Sequence, residues 1–299
     1  MKTAFRQVSL TTTAEAEEAV GWVLEKVFEQ TPSVFTHPER SGPVLSVYLG
    51  EDQRVTESHQ RAVQAGLEAV VECGLQVGDG KLVVKRLRRE DWVDSWKRHF
   101  QPIDIGGKLL LKPCWRKERP GPGQKVVILD PGLSFGTGQH ATTKFCLQQL
   151  VELRESGKKQ SVFDVGTGSG ILSIAAAKLG YQPVQAIDYD SEAVRVARRN
   201  AGRNRVEGRT EIKTGDVTRL SGRPRIKFDV VCANLFYDLL IDNASRLVCR
   251  VKPEGALVLA GILDSQFTQV REAVARHGMK LVRTRKKGEW RSGRFVHAP

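Results

Sequence analysis

Residues 162–170 read Val-Phe-Asp-Val-Gly-Thr-Gly-Ser-Gly and run directly into Ile171-Leu-Ser-Ile-Ala-Ala-Ala-Lys-Leu-Gly180. A short apolar run carries an acid at Asp164. Glycines follow at 166, 168 and 170, and an apolar-periodic, helix-forming segment starts at once. That order reads as strand, tight turn, helix. Glycines at alternate positions allow a sharp turn and let backbone approach a ligand closely, with a helix N-terminus behind it. The spacing is G-x-G-x-G, not the dinucleotide G-x-G-x-x-G. About twenty residues on, Ala186-Ile187-Asp188 ends a second apolar run in a carboxylate, suited to the two hydroxyls of a ribose. The combination points to a nucleoside-binding turn rather than an ordinary one.

A chain of 299 residues suggests about two domains. No run of eighteen apolar residues is present, and residues 1–6 do not lead into an apolar signal core. No membrane association is expected. Cys73, Cys114, Cys146, Cys232 and Cys249 are scattered, with no C-x-x-C pair. This indicates neither zinc nor a disulfide frame, and a cytoplasmic setting is expected. The formal net charge is +13 and is uneven: net +7 over 81–119, +8 over 195–227 and +6 over 280–294. Such concentration suits a ribonucleoprotein neighbourhood as well as it suits a solvated face. No basic motif interleaved with aromatics accompanies it.

The first ninety residues alternate as β-α-β-β-α-β. Strands are expected over 4–13, 33–36, 44–49 and 82–87, with amphipathic helices over 14–30 and 58–73. That is the split βαβ, ferredoxin-like pattern of a small α+β domain. Trp92, Trp96 and Phe100 then recur at helical spacing, so a helix over 90–100 is expected to dock the first domain through its aromatic stripe. The Pro/Gly-rich 116–124 reads as a loop. The expected organisation is 1–89, a connecting segment 90–124, and a second domain 125–299.

In the second domain, Val126–Leu129 reads as a strand. It delivers Asp130-Pro-Gly-Leu-Ser-Phe-Gly-Thr-Gly-Gln-His-Ala-Thr-Thr143, read either as a connecting loop with Thr142 or Thr143 as N-cap, or as a lid over the ligand held at 166–170. Strands are expected at 162–165, 184–188, 210–214, 229–233, 257–261, 280–284 and 294–298. Helices are expected at 171–179, 191–204, 237–251 and 265–277. This alternation argues for a seven-stranded Rossmann-like sheet. Two last strands with no helix between them suggest a terminal hairpin, adding an antiparallel strand. That layout resembles S-adenosylmethionine-dependent methyltransferases rather than dehydrogenases.

In an open α/β sheet the ligand sits beyond the carboxyl ends of the strands. Asp164, Asp188, Asp216 and Asn234 all fall at such ends. Asp188 is placed for ribose, Asp216 for an adenine amino group, and Asp164 for the amino-acid moiety and sulfonium. At Asn234, amino-group methyltransferases often carry Asn/Asp-Pro-Pro-aromatic. Here Asn-Leu-Phe-Tyr keeps the amide without the prolines, which leaves a flexible amine such as lysine open as acceptor.

Segment 130–143, together with 90–100, 166–170, Asn234, Gly261-Ile-Leu263 and Gly288-Glu-Trp290 in that order, resembles the ribosomal protein L11 methyltransferase (PrmA) family. The resemblance implies a ferredoxin-like substrate-recognition domain, a linker helix and a catalytic Rossmann-type domain. It implies methylation of lysine ε-amines and of the N-terminal α-amine of a ribosomal protein, with S-adenosylmethionine as cofactor. Cofactor contacts implied are Thr143, Gly166, Asp188 and Asn234; Thr137, Gly168 and Gly170 are further candidate contacts of the same ligand. Phe135, His140 and Trp290 would line the methyl-transfer site, and His140 is the one candidate base by position. A monomer is expected, with at most weak RNA contact through the basic surface. Two other readings remain open: an RNA or DNA N-methyltransferase, and a non-catalytic cofactor-binding assembly factor.

Overall fold

Side-chain alternation decides which face of each strand is buried. In β1 (Ala4–Thr11), Val8 and Leu10 share a face and are enclosed, opposite Val47 and Leu45 of β3 (Pro43–Leu49). Helices α1 (Glu17–Phe28) and α2 (Glu57–Glu72) supply Val20, Val23, Leu24, Val63 and Leu67 to the same core. A capping box at Thr56 and His59 starts α2. With β2 (Ser33–Thr36) and β4 (Val83–Arg88), the sheet runs β2-β3-β1-β4, with every neighbouring pair antiparallel. This is the strand order that a split βαβ chain generates.

The computed structural model describes residues 4–13, 15–30, 32–36, 42–50, 53–88, 101–129 and 140–298. The chain divides into two compact units, Met1–His99 and Phe100–Pro299. The helix expected over 90–100, with Trp92, Trp96 and Phe100, lies outside the described residues. So does segment 130–139, with Phe135 and Thr137. Among the described residues no helix is long and apolar enough to cross a membrane.

The second unit holds two sheets. Residues read from the sequence as part of a connecting segment form β5 (Ile103–Ile105) and β6 (Leu109–Pro113), and β6 pairs in parallel with β7 (Lys125–Leu129). The large sheet contains β8 (Val162–Val165), β9 (Val184–Asp188), β10 (Thr210–Thr214), β11 (Phe228–Asn234), β12 (Val251–Leu263), β13 (Met279–Lys287) and β14 (Trp290–His297). Its order is β10-β9-β8-β11-β12-β14-β13. The first five strands are parallel. The last strand, β14, inserts antiparallel between β12 and β13, as the expected terminal hairpin requires.

Both faces are covered. Val230, Cys232, Val258 and Ala260 pack with α3 (Ala141–Leu153), α4 (Ile171–Leu179) and α5 (Ser191–Arg203). Their strand neighbours Val231, Ala233, Leu257 and Leu259 pack with α6 (Tyr237–Asp242), α7 (Ala244–Val248) and α8 (Phe267–Ala275). Strands buried on both faces read as continuous apolar runs. One helix expected over 237–251 is two short ones. The break is at Asn243, whose φ of −112° and ψ of 16° leave the helical region while its side chain donates to Leu239 O at 2.9 Å.

Asn204, at the C-terminus of α5, ties that helix to the small sheet. Its Oδ1 accepts from Ile128 N at 2.7 Å and its Nδ2 donates to Ile128 O at 2.6 Å. The side chain thus completes the free edge of β7 as a peptide group would. Replacing Asn204 with Leu should leave both groups of Ile128 unpaired and destabilise the unit by about 1–3 kcal/mol in urea unfolding. An unchanged midpoint would show that this edge is satisfied by solvent.

Candidate active site at the carboxyl edge of the large sheet

The turn after β8 is tied down by its neighbour. Gly166 N and Thr167 N both donate to Ile187 O, at 2.9 and 3.0 Å, and Gly168 N donates to Asp188 Oδ2 at 2.8 Å. Asp188 Oδ1 accepts from Asp190 N at 3.1 Å. Main-chain donors therefore orient a nearly buried carboxylate at the edge, beside the glycine turn. Gly166, Gly168 and Gly170 all have positive φ, a conformation that L side chains rarely adopt.

Asp164 has a different part in the site from the one its position suggests. It is wholly buried, and its Oδ2 accepts from Thr167 Oγ1 and Ser173 Oγ, both at 2.6 Å, and from Ser173 N at 3.2 Å. The carboxylate binds the turn to the first residues of α4. Burial pushes its pKa up, while the hydrogen bonds from Ser173 and Thr167 act against that rise. Asp216 also has local partners. It caps a single 3-10 turn through Thr218 N at 2.8 Å and pairs with Arg219 at 3.7 Å. The backbone hydrogen bond at Thr218 holds its pKa below the ordinary value. Asp190 likewise caps α5 through Glu192 N; the capping role of Asp216 was not read from the sequence. The signal was Asp-x-Thr after a strand.

Asn234 ends β11 beside Ala260 of β12. The turn that follows it is held between two glycines. A Cβ on Gly166 would lie 2.3 Å from Leu235 Cδ2, and one on Gly261 would lie 2.5 Å from Leu235 O and 3.1 Å from Asn234 Oδ1. Backbone at both positions must come close for the amide to sit where it does. Three residues beyond Ala260, Leu263 pairs with Trp290 at the start of β14, so Asn234 and Trp290 share one edge. Tyr189, directly after Asp188, is 82% exposed there. An aromatic following the acid was a legible signal that the sequence reading passed over.

His140 and Trp290, 150 positions apart, meet edge to face with ring centroids 4.9 Å apart. Helix α3 begins at Ala141 with His140, not Thr142 or Thr143, in the N-cap position. The reason is local: Thr142 Oγ1 is engaged with His140 Nδ1 at 2.6 Å, and Thr143 is buried within the first turn. Burial lowers the pKa of His140.

A nucleoside with a cationic amino-acid tail fits this edge. Thr143 Oγ1 is a buried polar atom with no partner, and Asp188 presents a carboxylate oriented by main-chain donors beside the glycine turn. Among the described residues no cluster suited to a metal ion occurs.

Two outcomes test this geometry. Gly166→Ala should destabilise the unit by about 1–3 kcal/mol, and Leu235→Ala in the same chain should recover part of the loss, both read from urea midpoints. The half-buried His140 contributes stability that is complete above pH about 6.5 and is lost as pH falls toward its lowered folded pKa. His140→Gln should therefore flatten the pH dependence of the midpoint below that value. A parallel curve for the variant would remove His140 from the account.

The sequence pattern of the family described as "Ribosomal protein L11 methyltransferase (PrmA)" matches residues 4–297. A ribosomal protein L11 methyltransferase of Geotalea daltonii is 41% identical over 279 residues, covering 90% of this chain and 87% of that protein. One from Alkaliphilus oremlandii is 32% identical, covering 95% and 96%. The crystal structure of a ribosomal protein L11 methylase from Lactobacillus delbrueckii subsp. bulgaricus superposes with a TM-score of 0.57 at 28% identity, over 67% of this chain and all of that one. With the strand order, the glycine turn and Asn234 in place, the chain belongs to the ribosomal protein L11 methyltransferase (PrmA) family and is an S-adenosylmethionine-dependent methyltransferase.

Proposed function

We propose that this enzyme N-methylates lysine ε-amines, and the N-terminal α-amine, of ribosomal protein L11. The observation that carries the reading is Asn234, held at the sheet edge between Gly166 and Gly261 without the prolines that would narrow the turn. In this reading Asp188 binds the ribose hydroxyls, Asp216 the adenine amino group, and Thr143 with the turn Gly166–Gly170 the remainder of the cofactor. Thr137 and Phe135 belong to the same proposal, as cofactor contact and lining of the transfer site. Asp164 acts from behind by holding the turn. The bound cofactor supplies an electrophilic methyl group on a sulfonium.

The chain's own residues do the rest. A lysine amine has an ordinary pKa of about 10.4, so it must lose a proton before its lone pair can attack. Asn234 Oδ1 and the following carbonyl accept from the amine's N–H groups and aim the lone pair. Withdrawal from water favours the neutral amine. His140, its pKa lowered by burial, is uncharged at neutral pH and able to pass the proton outward. Trp290 offers an aromatic surface to the product cation. Because the amine must turn in place for repeated methylation, positioning and desolvation supply most of the rate.

The N-terminal unit is proposed to recognise the substrate protein, with the segment around 90–100 as the connection. The enzyme is taken to act in the cytoplasm as a monomer, with RNA contact secondary. Incubation with methyl-labelled cofactor, ribosomal protein L11 and ribosomal RNA should place the label in protein alone, and intact mass should give the number of methyl groups. Label in RNA would replace this reading with an RNA methyltransferase. Cofactor binding without any transfer would leave an assembly factor. Asn234→Ala should lower kcat/KM about tenfold to a hundredfold while cofactor affinity holds, and Asp188→Ala should instead weaken cofactor binding by a similar factor in calorimetry.

A further inference from the structure

Helix α3 and strand β13 meet along a seam whose charge balance changes from one end to the other. Glu152, Gln148 and Lys144 lie one turn apart on a single face of α3, and Arg283, Arg285 and Lys287 occupy alternate positions of β13. At the far end Glu152 pairs with Arg283 at 3.0 Å and with Arg294 at 3.6 Å. In the middle, Gln148 Oε1 accepts from Arg285 Nη1 at 2.8 Å, a neutral partner for a cation. At the end nearest His140 and Trp290, Lys144 faces Lys287. No carboxylate among the described residues pairs with Lys144, Arg285 or Lys287. Burial, then Lys287 and Arg285, push the pKa of Lys144 down.

These three cations surround a cavity of about 40 Å³ that Ala141, Phe145, Trp290 and the buried Ser292 complete. A cavity that holds a single water measures about 10–15 Å³ in the same terms, so this one has room for a small oxyanion. Like charges converging on a cavity disfavour one another unless an anion enters. The surroundings choose among anions. Segment 280–294 carries net +6, and Lys286 and Arg291 share Asp264, at 2.6 and 3.2 Å. A row of cations matches a repeating polyanion better than an isolated carboxylate. An indole beside a phosphate-sized cationic cavity is the pairing that holds single-stranded nucleic acid, phosphate on the charges and base on the ring.

We propose that the cavity between α3 and β13, formed by Lys144, Arg285 and Lys287 beside Trp290, is a phosphate site that docks single-stranded RNA next to the methyl-transfer edge. It rests on the reading of that edge as the catalytic one, and it gives the enzyme a means of acting where its protein substrate lies near RNA.

The test uses the full chain, a short fluorescein-labelled oligouridylate and inorganic phosphate as competitor. Lys144→Gln with Lys287→Gln should weaken oligouridylate binding at least about tenfold at low salt and reduce the slope of log affinity against log salt by about 1.4. Arg271→Gln with Arg276→Gln, on the exposed surface of α8 and its end, removes the same charge elsewhere and should leave both nearly unchanged. Inorganic phosphate should compete with RNA on the wild type and not on the Lys144/Lys287 variant. Equal losses in the two variants would overturn the proposal by reducing it to net charge. Competition by oligoglutamate but not by phosphate would overturn it in favour of an acidic protein segment. Methyl transfer to isolated ribosomal protein L11 without RNA, measured on the same wild-type preparation, keeps the tests apart. Its absence would count against the proposed function and leave the binding comparison standing.

Discussion

The edge that carries the chemistry depends on one joint, where the turn after β8 hangs from the end of β9. Three successive main-chain N–H groups, from Gly166 to Gly168, donate to Ile187 O and Asp188 Oδ2. Those bonds spend the donors of a sharp turn on the neighbouring strand rather than on water, as buried backbone requires. They also fix the Asp188 carboxylate. From beneath, Asp164 holds the same turn to α4 through Thr167 and Ser173. A buried acid is costly in isolation, and here hydrogen bonds to one of its oxygens make it the brace between strand, turn and helix.

From that joint the acceptor side of the site follows. Leu235 can lie against Gly166 only because there is no Cβ there, and Gly261 gives the same clearance on the other flank. The donor-binding turn and the acceptor-orienting amide are thus set against each other through two glycines on two strands. Strand β12 extends the arrangement. Its pairing with both Asn234 and Trp290 brings the C-terminal strand, and with it His140 at the head of α3, to the same edge.

Much of this was legible in the residues. The strand and helix spans of the second unit come from apolar runs alternating with amphipathic stretches, and such periodicity survives without tertiary context. Asn243 broke one expected helix because a side-chain bond to the preceding turn competes with continuation, a choice invisible in apolar spacing. The small strands β5 and β6 were taken for connection, since three to five residues carry too little periodicity and need β7 beside them to form a ladder. The acids at strand ends were found, but their duties were not separable by position. Asp164 and Asp216 meet local donors, whereas Asp188 faces both the turn and the edge.

The sequence by itself determined that a glycine turn would follow an apolar strand, that an acid would close the next strand, and that Asn234 would end the fourth strand of the series. Backbone conformational preference and side-chain alternation are local, so they can be read without a fold. Only the tertiary structure decided that Gly261 would make room for Asn234, that His140 would meet Trp290, that Asn204 would complete the edge of β7, and that Lys144 and Lys287 would line one cavity. Each of these joins residues far apart in the chain, and their meeting is set by strand order and helix packing, which no local pattern encodes.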